Sequence, residues 1–268
     1  MGFLEKLKTA SRTRQSLLCV GLDTDADRIP GHLNGDVLAF NRAIIEATSD
    51  LVCAYKPNIA FYEAMGEHGW RTLRDTIRAV PEDIPVILDA KRGDIGNTAQ
   101  RYAQAFFREL EVDAVTVNAY MGFDAVAPFL AFKDRCTFIL CLTSNAGSAD
   151  FQRLSCEGKP LYHWMAEKTV AWSERGPCGL VVGATHPEEL REIRELAPQL
   201  PFLIPGLGAQ GGDVETSVRF GTDANGEGAI LNSSRGILYA SNGSNFAEDA
   251  RKAAERLRAE IQRSRKGA

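Results

Sequence analysis

The sequence predicts an α/β protein built as a single (β/α)8 barrel, and three observations predict it. Short apolar runs recur eight times, a stretch of helical periodicity follows most of them, and no linker or low-complexity segment breaks the alternation. The runs are Leu17–Leu22, Leu51–Lys56, Pro85–Asp89, Ala114–Asn118, Thr137–Leu142, Gly179–Gly183, Phe202–Ile204 and Ala229–Asn232. Each is almost continuously hydrophobic, as parallel strands covered on both faces are. A doubly wound open sheet has the same rhythm and is the competing architecture on pattern alone.

The segments between the runs supply the outer layer. Asp36–Thr48 places Val37, Phe40, Ala43/Ile44 and Ala47 at helical spacing, and Ala99–Leu110 does so with Tyr102, Ala105/Phe106 and Leu110. His186–Leu196 is a helix entered through Pro187, and Phe246–Ile261 closes the series. The longest gap, Leu142 to Gly179, holds an insertion at Ala149–Lys159 before a helix around Leu161–Trp172. Residues 1–268 are thus read as one barrel domain with a short N-terminal helical extension and a C-terminal helix.

Composition narrows the function classes. Of 268 residues 44% are hydrophobic and 25% charged, with a net charge of −4 and no basic block, which argues against nucleic acid as a partner. The six cysteines form no C-x-x-C pair and read as buried thiols of a reducing compartment. The N-terminus has no signal-peptide run and no window approaches a membrane span, so no membrane partner and a cytoplasmic location are expected.

In a barrel the chemistry sits at the C-terminal ends of the strands. The first run ends in Asp23, the second in Lys56, the third in Asp89-Ala-Lys91 and the fourth in Asn118. The fifth is followed by Thr143-Ser144-Asn145 and the eighth by Asn232-Ser-Ser-Arg235. In LDAKRGDIG (88–96), side-chain alternation along an extended chain sends Asp89 and Lys91 the same way, with Asp94 beyond a glycine. A lysine among carboxylates keeps its ammonium form, which suits it to protonate a carbon that is becoming negative and unsuits it for a Schiff base. Arg92 faces the other way and is read as a structural ion pair, and the four histidines as surface or packing residues.

After the seventh run comes IPGLGAQGGD (204–213), which satisfies G-x-G-x-x-G. A dinucleotide fingerprint follows the first strand of its unit, with an acidic residue at the end of the next strand; here that strand ends in Asn232. The position fits a barrel phosphate site built from the loops after strands seven and eight, with Gln210 and Arg235 as donors.

Beyond these readings, LDAKRGDIGNTAQRYA resembles the signature of the orotidine 5′-phosphate decarboxylases, in which D-x-K-R-x-D-I carries the catalytic residues. CVGLD (19–23), YKPN (55–58), TSN (143–145), PGLGAQGGD (205–213) and NSSRGI (232–237) are similar to further motifs of that family, in order. The length and the insertion before Leu161 resemble its longer bacterial subfamily. The resemblance implies decarboxylation of orotidine 5′-phosphate to UMP in pyrimidine biosynthesis, without cofactor or metal. Lys91 would protonate C6, Asp89 would sit by the substrate carboxylate, and Asp23 and Lys56 would hold the ribose hydroxyls and extend the charge array. Asp94, Ile95 and Thr98 would reach into the partner's site of a homodimer, and Ser144 would contact the pyrimidine. Gln210 and Arg235 would hold the phosphate, with Gly208, Gly211 and Ser234 in the phosphate loop. Ala146 departs from a frequent proline, which is expected to loosen the loop after Ser144. A Mg²⁺-dependent sugar-phosphate decarboxylase of the same superfamily and a non-catalytic phosphometabolite-binding barrel are the alternatives. The first is opposed by a cation, Lys56, where its metal site has a carboxylate.

Overall fold

The computed structural model describes residues 1–207 and 212–267. Eight parallel strands form one sheet in the order β2-β1-β10-β9-β8-β5-β4-β3. They are β1 (Leu18–Gly21), β2 (Ala54–Lys56), β3 (Ile87–Arg92), β4 (Ala114–Val117), β5 (Cys136–Leu142), β8 (Cys178–Val182), β9 (Phe202–Pro205) and β10 (Ala229–Ser233). Two further strands, β6 (Ser155–Cys156) and β7 (Lys159–Pro160), make a separate antiparallel hairpin. The sheet edges meet: Tyr55 N donates to Pro85 O at 3.1 Å and Asp89 N to Pro57 O at 2.9 Å, joining β2 to β3. Closure of eight parallel strands, with helices in the connections, is a TIM barrel.

The sequence-predicted strands all form, with shifted ends. Leu51–Cys53 is not strand but a buried turn, because Leu51 N bonds back to Thr48 O and only Cys53 N reaches β1, at Leu18 O. The third strand runs past Asp89 to Arg92, and the seventh and eighth reach Pro205 and Ser233. Asp36 caps Val37–Thr48 by accepting the Ala39 N–H at 2.9 Å. The helix expected over Ala99–Leu110 begins at Gly96 and its last turn, Ala105–Glu109, widens so that Leu110 N donates to Ala105 O. The insertion is a short helical turn, Ala146–Asp150, followed by the β6–β7 hairpin. Glu157 (φ 51°) and Gly158 (φ 83°) provide the two left-handed residues its tight turn requires.

Side-chain alternation builds two cores. Val20, Leu88, Val115, Leu180 and Ile204 face the helices, while Cys19, Ala54, Ile87, Ala114, Phe138, Leu203 and Ile230 fill the barrel interior. Helix Phe3–Arg14 closes the interior from below: Phe3 meets the Phe138 ring edge-on at 5.7 Å. One step higher the inward positions turn polar, with Lys56, Asp89, Thr116 and Asn232 two residues beyond Ala54, Ile87, Ala114 and Ile230. Packing holds the bottom and middle, and chemistry occupies the top. Cys19, Cys53, Cys136, Cys141 and Cys178 are buried free thiols, with burial pushing Cys53 and Cys178 up to about 12. Among the described residues no helix is long and apolar enough to cross a membrane.

Candidate active site

The strand ends open on a cavity of about 690 Å³ whose lining includes Asp23, Lys56, Asp89, Lys91, Ser144, Ser234 and Arg235. The sequence-predicted charge cluster is therefore brought together from β1, β2 and β3. Lys56 Nζ lies 3.2 Å from Asp89 Oδ2 and 3.5 Å from Asp23 Oδ1, and Lys91 Nζ lies 2.5 Å from Asp89 Oδ1. Ser234 Oγ donates to Asp23 Oδ2 at 2.8 Å and ties the array to the loop after β10. The side chain of Lys56 is only 4% exposed, whereas that of Lys91 is 46% exposed at the inner end of the mouth.

The electrostatics follow from this alternation of sign. Burial alone would push the Asp89 carboxyl up, but Lys56, Lys91 and the Thr116 hydroxyl outweigh it and hold the group well below the usual carboxylate range. Burial likewise favours neutral Lys56, and Asp23 and Asp89 reverse that and raise it above the ordinary lysine value. At the cavity floor Lys56 and Asp89 therefore hold each other in their charged forms.

Asp89 and Lys91 do converge, but not through the alternation the sequence suggests. Lys91 stands in the left-handed region at φ 47°, and the β3–β4 register slips between Leu88 and Arg92. A bulge, not a regular strand, turns the lysine inward. Arg92 points away, pairing with Glu63 and donating to Ala90 O at 3.0 Å.

Asp94, Ile95 and Thr98 do not join the cavity of their own chain. Asp94 Oδ1 accepts its neighbour's N–H, from Ile95, at 2.7 Å; Ile95 is 54% exposed and Thr98 is also exposed. On the phosphate side, Gly206 and Leu207 line the cavity, and Leu207 pairs with Gly212. Gly208, Gln210 and Gly211 lie outside the described residues. Gly21 and Gly183 are among the glycines required by space: a Cβ on Gly21 would stand 1.9 Å from Ser234 Oγ, and one on Gly183 would stand 2.7 Å from Ser144 N.

Several supporting residues escape a reading of the sequence. Thr116, inside an apolar run, donates to Asp89 Oδ1 at 2.9 Å. Its only signal is the period-two alternation that puts it on Ala114's face. Tyr239 accepts the Asp25 N–H at 2.8 Å under the Arg28 guanidinium, 3.9 Å above its ring. Gln152, in the insertion, bonds to Thr143 at the start of the loop that carries Ser144 and Ala146. His186, read as a surface or packing residue, lies 3.2 Å from the Thr143 carbonyl behind that loop.

Comparison with known proteins agrees with this geometry. The model of the orotidine 5′-phosphate decarboxylase / HUMPS family matches residues 16–250. An orotidine 5′-phosphate decarboxylase of Herpetosiphon aurantiacus is 54% identical over 238 residues, covering 87% of this chain and 88% of the relative. One from Dehalococcoides mccartyi is 52% identical over 240 residues, covering 88% of each. Among solved structures, Leishmania donovani OMP decarboxylase superposes with a TM-score of 0.88 at 41% identity, covering 99% of both chains. A Toxoplasma gondii orotidine-monophosphate-decarboxylase structure gives 0.92 at 38% identity, covering 99% of this chain and 97% of that one. With the barrel closed, the strand-end charges assembled and the match running through both, the chain belongs to the orotidine 5′-phosphate decarboxylase / HUMPS family.

Proposed function

We propose that this chain decarboxylates orotidine 5′-phosphate to UMP and carbon dioxide, without a cofactor, with Lys91 as the proton donor. The observation that carries the reading is the ion-paired row Asp23–Lys56–Asp89–Lys91, which ends in the half-exposed Lys91 ammonium facing the cavity. Loss of carbon dioxide breaks the C6–carboxylate bond and leaves its electron pair in an sp² orbital on C6. No ring atom delocalises that pair, so a preorganised positive charge has to stabilise it as it forms. The Lys91 ammonium supplies that charge and then the proton that makes the new C6–H bond. Asp89, against the departing carboxylate, repels it in the ground state and loses that repulsion as carbon dioxide leaves.

Asp23 and Lys56 hold the ribose hydroxyls, Ser144 meets the pyrimidine, and Arg235, with Gln210 and the Gly208–Gly211 segment, takes the phosphate beside Ser234. Binding energy from the phosphate, remote from C6, then positions the reacting ring. Asp94, Ile95 and Thr98 serve the site of a second copy in a homodimer. Support for this comes from their absence from their own cavity and from the exposed apolar side chains Ile95 (54%), Tyr120 (83%) and Met121 (53%). Lys56 between two carboxylates disfavours the magnesium-dependent sugar-phosphate reading, because an ammonium already neutralises the acids a divalent ion would need.

Loss of orotidine 5′-phosphate absorbance by the purified protein tests the proposal directly. Lys91→Ala is expected to abolish turnover while UMP still binds; near-normal turnover in that variant would overturn the assignment.

A further inference from the structure

We propose that Thr116 is a positioning residue for the reaction: its one hydroxyl organises the β3 bulge that sets Lys91 on Asp89. Along β3, Leu88 pairs with Val115 and Arg92 with Val117, so four steps on β3 are matched by two on β4. The ladder cannot serve Asp89, Ala90 and Lys91 regularly across such a slip. Thr116 stands in the gap, 1% exposed, and Thr116 Oγ1 accepts the N–H of Ala90 at 3.0 Å and the N–H of Lys91 at 3.0 Å. The same oxygen spends its own proton on Asp89 Oδ1 at 2.9 Å. One side chain therefore satisfies two main-chain donors that the bulge takes out of the ladder and orients the carboxylate that receives Lys91.

The backbone shows why such a clamp is needed. Lys91 is a non-glycine residue at φ 47°, a conformation its Cβ disfavours and which persists only where neighbours fix it. Without the hydroxyl, two N–H groups lose their acceptor and the left-handed turn loses its main restraint. The lysine would then relax toward the extended alternation of an ordinary strand, and its ammonium would move off the position from which it reaches C6. Asp89 would keep Lys56 on Oδ2 but would lose its lateral anchor on Oδ1.

The inference rests on the decarboxylase reading above, and kinetics on three proteins separate the two. Thr116→Val keeps the shape and removes the hydroxyl; Thr116→Ser keeps the hydroxyl. For Thr116→Val, kcat is expected to fall about a hundredfold, as an ångström-scale misplacement does, with KM and UMP affinity within about threefold of wild type. Thr116→Ser is expected to stay within about threefold in kcat. Amide exchange gives a readout independent of the reaction: the Ala90 and Lys91 protons should exchange faster in Thr116→Val and at the wild-type rate in Thr116→Ser. A valine variant with wild-type kcat, a loss confined to KM, or a serine variant as slow as the valine one overturns the role of Thr116. If the valine chain does not fold, a drop of more than about tenfold in Thr116→Ser overturns it instead. Wild-type protein that leaves orotidine 5′-phosphate untouched refutes the decarboxylase reading, and amide exchange then tests Thr116 alone.

Discussion

Gln152 and Thr143 are joined by paired hydrogen bonds across the loop that follows β5: Gln152 Oε1 accepts the Thr143 N–H at 2.7 Å, and Gln152 Nε2 donates to Thr143 Oγ1 at 2.9 Å. Thr143 Oγ1 in turn donates to Asn145 Oδ1 at 2.7 Å. The insertion thus fixes the backbone just before Ser144, and the Thr143 hydroxyl carries the contact on to the Asn145 side chain. Gln152→Leu keeps the bulk and removes both bonds. Its kcat/KM for orotidine 5′-phosphate is expected to fall about tenfold, the equivalent of one to two hydrogen bonds, with thermal stability little changed. Steady-state kinetics beside a melting curve checks this, and an unchanged kcat/KM would separate the insertion from catalysis.

Shared sites in a homodimer predict complementation. Lys91→Ala and Asp94→Ala chains are each expected to be nearly inactive alone. Mixed at equal amounts by co-refolding, half of the dimers are hybrids with one intact site, so about a quarter of wild-type activity should return. No recovery in proven hybrids would mean that Asp94 acts within its own chain.

The charge row also predicts how stability responds to pH. Asp89 has its folded pKa below the unfolded carboxylate value of about 3.9, so its contribution is complete above that pH and is lost as pH falls through the folded value. Lys56 is raised above about 10.4, so its contribution is complete below that pH and is lost as pH rises beyond it. Between these limits both groups stay ionised and contribute no slope. On acidification from about pH 4 to 2, urea-unfolding free energy should decline less steeply in Asp89→Asn than in wild type, the difference being at most about 1.4 kcal/mol per pH unit. Equal slopes would show that Asp89 titrates normally.

Arg194 offers a control away from the mouth. It is 8% exposed, stacks 3.5 Å over the Phe202 ring, and donates to the carbonyls of Ala197, Leu200, Gly221 and Gly228 below the barrel. Burial lowers its pKa to about 10, so it remains a cation at neutral pH. Arg194→Met should cost about 3 kcal/mol of stability, since several buried carbonyls lose their donor, and should leave kcat unchanged at temperatures where the variant is folded. Denaturant unfolding with kinetics on the same sample separates the two effects.

The barrel was legible in the sequence because buried parallel strands must be apolar throughout, and eight such runs leave few other ways to cover them. Their ends were not: whether Leu51–Cys53 is strand or turn depends on the bond from Leu51 N to Thr48 O, which hydrophobicity does not encode. The charged residues of the site were legible because Asp23, Lys56, Asp89 and Lys91 interrupt or end apolar runs where solvation alone would not put them. Thr116, Gln152 and Tyr239 were not, since each acts through a hydrogen bond made only once the chain has folded its strands and loops against one another. The left-handed turn at Lys91 was invisible for a related reason: no glycine or asparagine marks it, and the conformation is imposed by the neighbouring strand.

Gly21 and Ser234 form a dependency between two positions that no local rule connects. Gly21 does not take the left-handed region, so its need for glycine is one of room, chiefly for the Ser234 side chain that holds Asp23. An alanine there is incompatible with serine at 234 in its present place, and shortening residue 234 to glycine is what would accommodate it. In families of aligned chains such a pair should vary together or not at all. A small residue in the first strand is in this sense a record of a hydrogen bond made just beyond the last.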